Sequence, residues 1–426
     1  MRVVAAIGVL SARLPGPQIA VVGGIRSTAL VCNSFLPKAP SRPGRFDRRG
    51  VVTAAASDVL PTDIPRRKDI LVAIDAVSRA CRVTSMLQPL RGSRSDSRIA
   101  TVTKSDSSPV TIGDFAAQGV VLSKLSETYP FDAFIAEERS DSLRADADLS
   151  AQVLMAASAG GMDRGDVEGL WRSIDLGHSY DADGNTADGE TKKRVWCLDP
   201  IDGTKGFLRG KLDGGQYCIA LALLEDGIPT IGILGCPNLP TYADDDRFAW
   251  EDDEDDQGVQ TTRGCLFVAT KDGGAYQLDM NMSHCERLNV TPNDGVTRTV
   301  SSARFCIGVE KSFNDPLGQT DRIAEILHGP GALDNEGEIV ISRRIDSQAK
   351  FGVLARGGAE VYLRLPKAGY REWVWDLAAG SVVITEAGGE ITDVYGNPLD
   401  FSLGAKLPAS HRGVIGSNGG KFHRKL

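Results

Sequence analysis

The sequence predicts a layered α/β (α+β) fold, and three observations carry that reading. Beyond residue 300, short apolar runs alternate with stretches of helical period. Strands are expected at 300–307, 339–341, 359–365 and 390–394, and helices at 321–327, 348–356 and 377–386; strands alternating with helices build stacked layers. Two hairpin signatures precede them, 217–224 with 230–235 around Glu225-Asp226-Gly227-Ile228-Pro229, and 266–270 with 275–278 around Lys271-Asp272-Gly273-Gly274. Finally, the chain has 426 residues, whereas single cores stop growing at roughly 250–300 residues. A leader at 1–56, an N-terminal domain at 57–260 and a C-terminal domain at 261–426 are therefore expected.

The earlier elements follow in chain order. From 69 to 87, Ile70, Ile74, Val77, Cys81 and Met86 recur near a 3.6-residue period and predict an amphipathic helix. The Ser/Asp/Arg/Lys-rich stretch 91–109 has no period and reads as a loop. Asp114 stands where a helix at 115–129 begins, and an Asp there can accept from the first free backbone N–H groups. A short apolar strand at 131–136 delivers Glu137 and Glu138 at its end, 142–159 is helical, and a strand at 194–198 runs directly into Asp199. The 181–185 loop resembles a calcium loop, but Thr186 and Lys192 stand where its glycine and bidentate Glu belong. The acid run 244–256 repels itself and reads as a solvated insertion.

Charge is unevenly distributed. Eight of the 48 Lys/Arg but only one of the 56 Asp/Glu, Asp47, fall in the first fifty residues. A basic segment rich in Ser, Pro and small apolar residues has the composition of an organelle transit peptide, with small residues at 51–57 where it could be cut. A disordered basic tail is the other reading. Plastid or mitochondrion is the expected destination, with the cytoplasm as the alternative. The apolar runs 3–10 and 19–25 are far shorter than the ~20 residues that span a bilayer, so no membrane association is expected. The remainder of the chain is strongly acidic and should repel nucleic-acid polymers, leaving small ligands and divalent cations as partners. Eight cysteines occur singly with no CxxC pair, which argues against a disulfide framework and a zinc site; buried thiols are expected, with a redox-sensitive pair as the alternative. The five histidines show no metal-like spacing and read as surface residues, and no P-loop or G-x-S-x-G elbow is present.

Three separated places put carboxylates at the ends of regular elements: Glu137-Glu138, Asp199 with Asp202, and Asp376. Asp114 or Asp376 alone reads as a helix cap. Asp199-Pro200-Ile201-Asp202-Gly203-Thr204 is more specific. Pro200 fixes the backbone, the spacing lets two carboxylates and the Ile201 carbonyl converge, and Gly203 permits close approach of a ligand. All-oxygen ligation of this kind suits Mg²⁺.

Glu137-Glu138, the 199–204 turn, Trp375-Asp376 and Gly388-Gly389, in this order, resemble the signature of the inositol monophosphatase superfamily of lithium-sensitive, magnesium-dependent phosphatases. The likeness runs from about residue 66 to the C-terminus. Within that superfamily, 108–114, 205–210, Asp346-Ser347-Gln348-Ala349-Lys350 and 362–366 are similar to the 3′(2′),5′-bisphosphate nucleotidase branch. The resemblance implies an α-β-α-β-α sandwich with the metals between two domains. It implies that Glu137, Asp199 and the Ile201 carbonyl hold one Mg²⁺, that Asp199, Asp202 and Asp376 hold a second, and that a weaker third lies near Glu137. Asp114 and Thr204 are assigned to the attacking water. Gly203, Thr204, Ser347, Lys350, Arg364 and Asp376 are assigned to the substrate, where Lys and Arg would meet a second, uncleaved phosphate. One position departs from the pattern: Ser312-Phe313 follow Glu310-Lys311 where relatives often carry Gly-His, so the base-side histidine is absent and Phe313 becomes the residue that could stack on a purine.

The implied activity is hydrolysis of the 3′-phosphate of 3′-phosphoadenosine 5′-phosphate to AMP and phosphate, extending to its sulfated precursor. An inositol (poly)phosphate phosphatase with the same metals, and an inactive nucleotide- or metal-binding regulator, are the alternatives. A monomer or weak dimer is expected.

Overall fold

Side-chain size alternates along the central strands, and that alternation sets how the layers stack. The computed structural model describes residues 51–90, 101–103, 109–180, 193–241, 263–292, 299–309, 318–367 and 369–426, all within a single unit spanning 47–426. The basic leader, the 181–185 loop, the 244–256 acid run and residues 310–313 lie outside the described residues. Strands β3 (Ala133–Ala136), β4 (Arg194–Asp202), β5 (Cys218–Glu225), β6 (Ile228–Pro240), β7 (Arg263–Thr270), β8 (Gly274–Asp279) and β9 (Cys285–Arg287) form one seven-stranded sheet in that order. On β5, Ile219, Leu221 and Leu223 face one core while Cys218, Ala220 and Ala222 face another, the period-2 pattern of a strand buried on both faces.

Helices α2 (Arg67–Leu87) and α3 (Ile112–Thr128) cover the bulky face of this sheet. The small-residue face receives α9 (Ala349–Ala355) and α10 (Ala378–Glu386). Close approach there is literal, because a Cβ on Gly232 of β6 would sit 2.3 Å from the Ala379 carbonyl oxygen. Beyond these helices lies a five-stranded sheet in the order β11 (Ser342–Arg344), β10 (Phe305–Ile307), β12 (Val361–Arg364), β14 (Val414–Ser417), β13 (Glu390–Asp393). Its outer face packs Phe305, Val361 and Leu363 against Ala324 of α8 (Gln319–His328) and Phe422 of α11 (Gly420–His423). The result is the α-β-α-β-α sandwich.

Several elements differ from expectation for identifiable reasons. Helix α3 starts three residues early, since Thr111 is its cap and Asp114 completes a capping box from the first turn. The predicted 142–159 helix is two, α4 (Asp141–Ala145) and α5 (Ala147–Ala159), because the Asp146 carboxylate accepts from Leu149 N at 2.9 Å and opens a new helix. Within the 91–109 loop, β1 (Thr101–Thr103) pairs antiparallel with β2 (Pro109–Thr111). The 300–307 strand shortens to β10 behind a 3₁₀ turn at Val300–Ser302, and 339–341 contributes one isolated bridge while its neighbour 342–344 takes the edge of the sheet. Sequence reading missed α6 (Val167–Asp175), α7 (Thr204–Arg209), β9, β14 and α11. His423, expected at the surface, is buried between Thr392 and Ser417.

Two borders move. A division near residue 260 falls between β6 and β7, which pair from Ile231↔Thr270 to Pro240↔Arg263, so the passage from one sheet to the other comes after Arg287. The folded part also takes in residues assigned to the leader: α1 (Val51–Val59) buries Ala56, and the Arg67 guanidinium donates to the carbonyls of Ser57 (2.7 Å) and Pro61 (2.6 Å). All seven described cysteines are free thiols.

Gly232→Ala tests the layering. The Ala379 carbonyl it would strike belongs to helix backbone and cannot swing aside, so overpacking should cost about 1–3 kcal/mol, read as a thermal midpoint lowered by several degrees; an unchanged midpoint would contradict the close contact.

Candidate metal and phosphate site

The Asp199–Asp202 segment is the end of a strand, not a free loop. Asp199 pairs with Ala220 and Asp202 with Cys218, so β4 carries one extra residue there and bulges. The bulge turns Asp199, the Ile201 carbonyl and Asp202 toward one side, and the Asp199 Oδ1 accepts from Ile201 N at 3.1 Å. Gly203 follows with φ 86°, a conformation that favours glycine. A Cβ there would also lie 2.9 Å from that of Ser347, so its bareness is required twice over.

Register brings in the next ligand. β3 runs parallel to β4 with Ala136 opposite Leu198, which sets Glu137 level with Asp199. Asp114 arrives from the first turn of α3. Its Oδ2 is committed to Thr111, accepting from the backbone N at 2.7 Å and the hydroxyl at 2.5 Å. Its Oδ1 faces the Thr204 hydroxyl at 3.5 Å, and that hydroxyl also lies 3.3 Å from the Ile201 carbonyl. Asp376 ends a 3₁₀ turn at Val374–Asp376, and α10 begins beyond it with no side-chain cap. Its carboxylate instead accepts from Arg364 Nη2 at 2.7 Å, so neither Asp376 nor Asp114 is a helix cap of the simple kind the sequence suggested.

The 346–350 turn closes the site. Gln348 N donates to Asp202 Oδ2 at 2.6 Å, the Gln348 side-chain amide donates to the Trp375 carbonyl at 2.8 Å, and its carbonyl oxygen accepts from Gly380 N at 3.1 Å. Lys350 is buried, with Nζ donating to the carbonyls of Ile345 (3.1 Å) and Ser347 (2.7 Å). Asp346 is paired with Arg209 of α7.

Together these elements enclose a cavity of about 280 Å³ lined by Glu137, Asp199, Ile201, Asp202, Gly203, Thr204, Ser347, Lys350, Arg364 and Asp376. Every residue assigned from the sequence to the metals, the attacking water or the phosphates is on that lining except Asp114, which stands behind Thr204. Phe313, the expected purine contact, lies outside the described residues. Sequence reading missed four aromatic residues of the wall, Phe351, Tyr370, Trp373 and Trp375 as a side chain, with Trp373 and Trp375 stacked at 4.5 Å. It also missed Thr111, although Thr111-Ile112-Gly113-Asp114 is a readable capping-box spacing.

The electrostatics ask for a cation. Burial first, then the carboxylates of Glu137, Asp202, Asp376 and Asp114, push the Asp199 carboxyl well above its ordinary range. Burial and then Asp376 raise Asp202 to about 6 against the lowering pull of Lys350 and Arg364. Among the described residues no three acids close tightly enough to grip an ion as the side chains stand. The donors are hard oxygens, carboxylates and a backbone carbonyl, which fits a divalent cation of the magnesium type.

Fold and donor set thus define a layered α/β sandwich built around an oxygen-lined cation centre. The family model for the inositol monophosphatase family matches residues 71–426, and the chain belongs to that family, whose members are metal-dependent. A 3′(2′),5′-bisphosphate nucleotidase of Emericella nidulans is 38% identical over 327 residues, covering 74% of this chain and 86% of that protein. Those of Schizosaccharomyces pombe and Dictyostelium discoideum are 34% and 35% identical, covering 83% and 82% of this chain and 93% and 92% of theirs. The crystal structure of the extragenic suppressor protein suhB from Bartonella henselae shares the fold, with a TM-score of 0.50 at 18% identity over 84% of this chain and 97% of that one.

Raised carboxyl pKa values predict an inverted pH response for the metal-free protein. The stability that Asp199 and Asp202 contribute is full below the ordinary carboxylate range and is lost as pH rises, through about 6 for Asp202. Between pH 5 and 8 the metal-free melting temperature should therefore fall more in the wild type than in Asp202→Asn, and magnesium at pH 8 should restore it. Equal slopes in the two proteins would contradict the crowding.

Proposed function

We propose that this chain is a magnesium-dependent phosphomonoesterase that removes the 3′-phosphate of 3′-phosphoadenosine 5′-phosphate, yielding AMP and phosphate, and that it also accepts the sulfated precursor. The observation that carries this reading is one cavity holding both an acidic cluster and two cations, the buried Lys350 and the partly buried Arg364. A phosphate to be cleaved belongs beside the acids and their cations; a phosphate to be kept belongs beside the basic pair. The names of the relatives support the same substrate class.

Glu137, Asp199 and the Ile201 carbonyl would hold one Mg²⁺ and Asp199, Asp202 and Asp376 a second, with a weaker third near Glu137. Bound there, the ions supply charge stabilisation to the phosphoryl oxygens and lower the pKa of water. The protein's own contribution is proton handling. Asp114 Oδ2 is held by Thr111, and Oδ1 faces the Thr204 hydroxyl. The Thr204 hydroxyl orients the attacking water, takes its proton and passes its own to Asp114 Oδ1. Water oxygen bonds to phosphorus as the bond to the 3′-oxygen breaks, and that oxygen is protonated from solvent. Gly203 leaves the backbone bare where the phosphate approaches. The basic leader is read as an organelle-import segment for plastid or mitochondrion, and the folded enzyme as a monomer or weak dimer.

Phosphate release from adenosine 3′,5′-bisphosphate and inositol 1,4-bisphosphate, with and without Mg²⁺, tests the reading. The nucleotide should be cleaved faster and only with the ion. Asp202→Asn should lose at least about a hundredfold in turnover, beyond the loss typical of a residue behind the ligands, with its fold intact by circular dichroism. Faster cleavage of the inositol phosphate would reassign the substrate, and near-normal activity of Asp202→Asn would remove the metal assignment.

A further inference from the structure

Arg364 ends β12, and a single corner of its guanidinium is shared by two acids. Nη2 lies 2.7 Å from Asp376 Oδ2 and 2.7 Å from Glu372 Oε2. Only the contact to Asp376 is aligned as a hydrogen bond. Neither Glu372 oxygen has a hydrogen-bond partner, and the Arg364 Nε is likewise buried without one. Glu372 is 4% exposed and does not line the cavity; it stands behind Arg364. Its backbone is fixed, since Leu407 N donates to the Glu372 carbonyl at 2.9 Å and Val374 N to the Ala405 carbonyl at 3.0 Å.

A carboxylate this buried is costly unless it is paired. Among the described residues the cation against it is Arg364, whose aligned hydrogen bond goes to a different acid. On the functional reading above, Asp376 is taken by a cation in the working enzyme. Arg364 then loses its aligned partner, and the misaligned one is already in place.

We propose that Glu372 is a positioning residue for this reaction: it receives the Arg364 guanidinium when Asp376 turns to the cation, and so holds Arg364 toward the uncleaved phosphate. The inference rests on the bisphosphatase reading. It has two consequences. Removing Glu372 leaves Asp376 as the sole acid on Arg364, so the guanidinium competes with the cation. It also leaves Arg364 without an acidic partner once the cation wins, which weakens recognition of the second phosphate while leaving the 3′-phosphate contacts alone.

Glu372→Gln measured on adenosine 3′,5′-bisphosphate and on adenosine 3′-monophosphate separates these effects from general damage. For the bisphosphate, KM should rise by about tenfold, the effect of a typical residue that orients a ligand-binding group, with kcat within about twofold. For the monophosphate, which lacks the phosphate that Arg364 would meet, KM should not change. Half-activation should need more Mg²⁺ with either substrate. Glu372→Asp, which keeps the charge, should recover part of the loss and carries the same comparison if the Gln variant does not fold. Equal losses on the two substrates, or unchanged kinetics in a folded Gln variant, would overturn the assignment. A wild-type protein that does not cleave the bisphosphate would overturn the functional reading and this inference with it.

Discussion

Five carboxylates, Asp114, Glu137, Asp199, Asp202 and Asp376, act on one another in a region where Asp199 is 3% and Asp114 1% exposed. Like charges in so poorly solvated a place repel strongly, and side chains on loops would simply swing apart. Here the backbone prevents it. Glu137 and Asp199 are neighbours through the parallel β3–β4 register, Asp202 is held by the bulge and by Gln348 N, and Asp114 is tied into the first turn of α3. Repulsion that cannot be relieved by movement remains as affinity for a cation. The rigidity of the sheet is therefore part of the chemistry.

The layering follows from the same requirement. The site needs residues from β3, β4, α3, the 346–350 turn, β12 and the segment before α10 to meet at one point. Small residues on the inner face of the seven-stranded sheet let α9 and α10 lie against it, with Gly232 beneath Ala379 and Gly380 against Phe351. Gln348 then spans the gap, bonding Asp202 on one side and the Trp375 carbonyl and Gly380 N on the other. A larger residue at Gly232 would shift α10, and Asp376 two residues before it would shift as well. Packing several layers away from the cavity thus sets the distance between its acids.

Local signals in the sequence located most of this and misread the rest in a consistent way. The hairpins, the strands flanking the acids and the acids themselves were legible because each is written within a few residues. What was not legible depends on tertiary partners. Asp376 and Asp114 looked like caps because a carboxylate near a helix start usually is one; the partner that claims Asp376, Arg364, lies twelve residues away on another element. Strand β11 was placed three residues early because the apolar run 339–341 resembles a strand more than Ser342-Arg343-Arg344 does, yet β10 offers its edge to the polar residues. The border at 260 was set just past the acid run, whereas the sheet continues across it. Glu372 gave no signal at all, since one acid between Arg371 and Trp373 is indistinguishable from a surface residue until its burial is seen.

Lys350 illustrates how a residue can be correctly located while its work is only half described. Its charge lies where a phosphate cation should be, but two of its three N–H donors go to the carbonyls of Ile345 and Ser347. Ser347 adopts φ 69°, a left-handed conformation that costs of order 1 kcal/mol for a non-glycine residue. The lysine bonds offset that strain, and the strained turn is what points Gln348 N at Asp202. Burial lowers the Lys350 pKa while Asp202 raises it, so the same ammonium also partly balances the acid it helps to position. Only one donor remains for a ligand. Recognition of a second phosphate then falls mainly on Arg364, and the acids that share its guanidinium become the natural control on which phosphate the site will hold.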